Sequence, residues 1–108
     1  MMDTKQREKA RAILKHYGEK SQRRQLIEEC SELIQAICKY DREMNAEKFN
    51  AEKVGNLENE IAGEIADVLI MIEQLKISMF YGDGVNLIDC MINYKLDRQL
   101  ERIERGEN

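Results

Sequence analysis

The stretch EIAGEIADVLIMIEQL, residues 60 to 75, has the apolar spacing of a helix buried almost all round, yet Glu64 and Asp67 stand in its middle. Removing an ionised carboxylate from water costs several kcal/mol unless a cation, a strong hydrogen-bond donor or trapped water compensates it. Three compensations are open to this pair: basic side chains, a rim position that stays wet, or a metal ion.

A second stretch narrows the choice. In LIEECSELIQAI, residues 26 to 37, Glu29 and Glu32 repeat the three-residue spacing beside an apolar stripe of Leu26, Cys30, Leu33 and Ile37. At that spacing both members of a pair lie on one helix face, about 4.5 Å apart along the axis. Two antiparallel helices packed side by side can aim both pairs at one point. Four converging carboxylates repel one another unless divalent cations sit among them, and such oxygen donors suit magnesium or manganese better than zinc or copper. The competing reading is plain solvation: with 21 acidic residues in a helical chain, pairs at this spacing arise by chance and face water. That reading fits Glu29 and Glu32 better than Glu64 and Asp67, which are ringed by Ile61, Ile65, Val68, Leu69 and Ile72.

Outward from these stretches the helical pattern continues. A first helix is expected from about Thr4 to Tyr17, ending at Gly18. A second, capped by Ser21, carries Leu26 to Tyr40 and runs to about Glu43. MNAEKFNAEKVGN, residues 44 to 56, reads as a polar connection with at most some helical turn, and a third helix follows from about Leu57 to Phe80. After YGDG, Asp83 or Asn86 can cap a fourth, with Leu87, Cys90, Met91, Tyr94, Leu96, Leu100 and Ile103 largely inward. No strand-like alternation competes. The expectation is all-α: one domain of 108 residues, an antiparallel bundle of about four helices completed by oligomerisation.

Charged residues at 35% and hydrophobic ones at 43% fit amphipathic helices and exclude a disordered chain. The net charge of -4 argues against a duplex nucleic-acid binder. Cys30, Cys38 and Cys90 are odd in number and lack CxxC spacing, so they read as reduced, buried thiols rather than a disulfide or zinc framework. MMDTKQREKARA lacks the apolar core of a signal peptide, and no apolar run is long enough to span a membrane, which points to a cytoplasmic setting.

EECSE at residues 28 to 32, followed by EIAD at 64 to 67, resembles the E-E-x-x-E … E-x-x-D signature of the MazG-like, all-α nucleoside triphosphate pyrophosphohydrolases. The resemblance covers roughly residues 22 to 105. It implies that Glu29, Glu32, Glu64 and Asp67 hold Mg2+, with Mn2+ as a substitute, and that Glu28 orients or deprotonates the attacking water. The products would be a nucleoside monophosphate and pyrophosphate. It also implies a homodimer or tetramer with active sites shared between chains. On the last helix many members carry K-x-x-x-N-x-x-R; here Lys95 is followed by Gln99 and Arg102, and Lys95, Arg98 and Arg102 form a basic stripe suited to the pyrophosphate.

Two rivals differ in class. A di-iron bundle needs a Glu-x-x-His pair on each of two helices, and His16 is the only histidine. A non-catalytic helical interaction module, its acidic pairs solvated, needs no metal at all.

Overall fold

The computed structural model describes residues 2–80 and 83–107, the side chains of 83–85 excepted. Among them are four helices and no strand: α1 Thr4–Tyr17, α2 Glu19–Met44, α3 Ala51–Met79 and α4 Asp83–Glu104. The all-α class is as the sequence implies. Two compact units divide the chain, residues 1–75 and 76–108, so α1, α2 and most of α3 fold together while α4 belongs to the second unit.

Local chemistry sets the helix ends. Asp3 caps α1 with a reciprocal box: its Oδ1 accepts from the Gln6 amide at 2.8 Å, and the Gln6 side chain accepts from the Asp3 amide at 3.0 Å. Gly18 then turns the chain at φ 91°, a region that favours glycine, and serves both as the end of α1 and as the start of α2. Ser21 therefore lies inside α2 and does not cap it. The third helix also begins earlier than its apolar pattern, because Asn50 caps it: its Oδ1 accepts from the Lys53 amide at 3.0 Å. Most of the polar connection after Asn50 is thus helix. Asn86 falls within α4, which starts at Asp83.

In the first unit α2 and α3 run antiparallel, a register fixed by Lys39 beside Glu60 at 3.5 Å and Glu43 beside Lys53 at 3.2 Å. Arg7 ties α1 to Glu73 of α3 at 3.2 Å. The buried apolar side chains are few: Ala10 and Leu14 of α1, Ala36 of α2, and Val54, Val68 and Met71 of α3. A large apolar side chain contributes about 1.5–3 kcal/mol when fully buried. This is a thin core.

Two expectations about burial are corrected. The third helix is covered on one side only, leaving Ile65 and Ile72 exposed, because α1 and α2 occupy a single flank. On α4 the residues expected inward, among them Leu87, Met91, Tyr94, Leu96, Leu100 and Ile103, are exposed, since its own unit offers nothing to cover them. Cys30, Cys38 and Cys90 are free as expected but exposed rather than buried. The second unit closes on a Schellman turn, with the Gly106 amide donating to Ile103 at 3.0 Å, the Glu107 amide to Arg102 at 2.7 Å, and Gly106 at φ 75°.

Candidate metal centre

The α2–α3 register that pairs Glu43 with Lys53 carries Glu29 and Glu32 toward Glu64 and Asp67. Glu29, Glu64 and Asp67 each offer a carboxylate oxygen within 4.8 Å of the others. Glu29 and Glu64 are half-buried in the seam, whereas Asp67 is exposed at its rim. One oxygen on each inner glutamate, Glu29 Oε2 and Glu64 Oε2, is buried without a hydrogen-bond partner. Among the described residues no ion pair reaches these three.

Glu32 is exposed and outside that trio, but it feels it. Its carboxyl is pushed above the usual range first by the negative charge of Glu29, then by lost hydration, by hydrogen bonding with Glu29, and by Glu64. An upward shift of a carboxyl beside two carboxylates is the expected response to crowded negative charge.

The neutral contact that orients the cluster was not anticipated. Gln25, one turn before Glu29, donates from Nε2 to Glu29 Oε1 at 2.9 Å. Its signal lay in the sequence as a polar residue four positions ahead of a candidate ligand, the spacing that meets on a helix face.

The remaining sequence candidates divide between the two units. Glu28 is exposed beside Glu29. Lys95, Arg98 and Arg102 share α4, where Lys95 and Arg98 are exposed, Arg102 is half-buried, and Arg98 lies over the Tyr94 ring at 5.8 Å. His16 is exposed and meets the Tyr17 ring edge-on at 4.7 Å. Tyr81, a candidate for stacking on a base, lies outside the described residues.

Compared with known proteins, the chain matches no family model, no curated protein and no solved structure. No helix among the described residues is long and apolar enough to cross a membrane.

The donor set fits a hard divalent cation. Carboxylate oxygens from three residues, two of them orphaned by burial, match the ligands that magnesium and manganese take, and a soft metal would find no thiolate or imidazole in the group.

Proposed function

We propose that the protein is a magnesium-dependent nucleotide pyrophosphohydrolase that splits (deoxy)nucleoside triphosphates into the monophosphate and pyrophosphate. One observation carries this reading: like-charged carboxylates with orphaned buried oxygens converge at the seam of two packed helices, with no ion pair to a basic side chain among the described residues. The likeness of EECSE and EIAD to the MazG-like signature adds the reaction class.

Glu29, Glu64 and Asp67 would hold the ion, with Glu32 beside them as a further carboxylate. When bound, such an ion supplies charge neutralisation at the phosphate oxygens and favours hydroxide over water as nucleophile. Gln25 fixes the rotamer of Glu29 through its amide. Glu28, turned about 100° around α2 from Glu29, accepts the proton of the attacking water. Lys95, Arg98 and Arg102 supply cations for the departing pyrophosphate, delivered in this reading by a second copy of the chain. The exposed apolar side chains of α4 support such an assembly.

The test is pyrophosphate release from a panel of canonical and modified deoxynucleoside triphosphates with and without magnesium. Release that requires the metal, together with a magnesium-dependent rise in melting temperature, is the expected result. A folded sample inert across the panel and indifferent to magnesium would return the protein to the helical interaction modules.

A further inference from the structure

Gln22 of α2 and Gln74 of α3 are the buried polar side chains among the described residues, and neither belongs to the carboxylate centre. Gln74 is only 1% exposed, and both its Nε2 and its Oε1 lack a hydrogen-bond partner. An amide sealed in an interior without partners is less stable there than an apolar side chain of similar size. Its donor and acceptor are both left unused in the free chain.

Position indicates what that is. Gln74 follows Asp67 by two turns on the same face of α3, about 10.5 Å along the axis. The register that sets Glu29 near Asp67 sets Gln22 level with Gln74. Between Asp67 and Gln74 on that face stands Ile70, which with Met2, Gln6, Lys9, Ala10 and Ile13 lines a cavity of about 260 Å³ between α1 and α3. That volume is near the small end of ligand pockets and suits one ring system better than a whole nucleotide. Along one helix face the order is therefore carboxylate, apolar wall, then an amide carrying a donor and an acceptor. A nucleotide presents the complementary order: phosphate, flat ring, hydrogen-bonding edge.

Building on the pyrophosphohydrolase reading, we propose that Gln74, with Gln22 beside it, reads the edge of the substrate's nucleobase, while Ile13 and Ile70 flank the ring. Glutamine pairs side-on with a base edge through one donor and one acceptor. Gln74 does not line the cavity in the free chain, so the base gains it as α1 shifts off α3. That helix is held by buried Ala10 and Leu14 and by the Arg7–Glu73 ion pair, the contacts that such a shift has to loosen.

The experiment is kcat/KM for each of the common deoxynucleoside triphosphates with magnesium, on the full chain and on Gln74→Leu, with Gln74→Met as the second variant should the first fail to fold. The expected result is a wild-type preference for one base that falls by about tenfold to a hundredfold in the variant, the other bases changing little, and a higher melting temperature for the variant without substrate. Equal loss on every base, or a wild type that treats all bases alike, overturns the role of Gln74 and leaves the hydrolase reading standing. A wild type that releases no pyrophosphate from any nucleotide removes both.

Discussion

The two ends of the α2–α3 seam are built from the same helices in one register, and they treat acidic side chains in opposite ways. At the end nearer the connection, Glu60 meets Lys39 and Glu43 meets Lys53. At the other, Glu29 and Glu32 meet Glu64 and Asp67, and Glu29 is met by the neutral amide of Gln25 and by the Glu32 carboxyl rather than by a lysine. Lysines of suitable length are plainly available to this seam. Their placement at one end leaves the acidic end without a cationic ion-pair partner among the described residues, and the proposed cation site rests on that contrast.

The sharpest way to break the comparison is to neutralise the acidic end. Glu64→Gln removes a half-buried ligand and its orphaned oxygen together. Magnesium-dependent pyrophosphate release should fall by about a hundredfold or more, since groups that merely orient ligands already cost ten- to a hundredfold. In chelator the same variant should melt higher than the wild type, because a repelling charge has gone. Loss of activity with loss of metal-free stability would mean that Glu64 is a packing residue. Asp67→Asn, at the wet rim, should match it in activity with a smaller change in melting temperature.

Next in size is Gln25. Gln25→Leu keeps the bulk and deletes the donor to Glu29, so magnesium affinity measured by calorimetry should weaken by about tenfold to a hundredfold. Unchanged affinity would show that Glu29 is held by packing alone.

How much of this was readable in advance differs along the same helices. The carboxylate spacing and the helices that carry it were legible because helical periodicity is local, and Gly18 and Gly106 mark helix ends for a steric reason visible in one residue. The start of α3 was not, because residues 51 to 56 carry little apolar pattern and Asn50 caps them from outside it. Ser21 misled for the opposite reason: a good capping residue yields when Gly18, three positions earlier, already turns the chain. Burial on α4 and at the cysteines was misjudged because an apolar stripe specifies that a face be covered and not by which chain. Gln22, Gln25 and Gln74 were passed over since a glutamine in a helix is unremarkable until its neighbours in space are known.

Acidity tests the crowded end by itself. Glu32 is pushed above its ordinary value of 4.5 in the folded chain, so folding binds its proton more tightly than the unfolded chain does. Its contribution to stability is then fully present below about 4.5 and lost as pH rises through the raised folded value. Without metal, Glu32→Gln should be more stable than the wild type at pH 7, and that advantage should close as pH falls toward 4.5. Melting curves of the two proteins in chelator across this range decide it. A gap that widens toward acid would mean that Glu32 is stabilised as a carboxylate, by a cation the acidic end is argued to lack.

The smallest effects belong to the lysine end, and their ranking carries information. Lys39 and Glu60 are both substantially exposed, at 49% and 41%, so Lys39→Ala should change stability by no more than about 0.5 kcal/mol. Lys53 is exposed at 64%, but its partner Glu43 is at 14%, and removing the lysine strands a carboxylate that water reaches poorly. Lys53→Ala should therefore cost more than Lys39→Ala, at about 1 kcal/mol by denaturant unfolding, with added salt shrinking the Lys39 effect more than the Lys53 effect. Magnesium should alter neither value, because these acids already have their cations. Should magnesium instead rescue Lys53→Ala, Glu43 would have become a second divalent site, and the contrast between the two ends would reduce to which of them happens to hold a lysine.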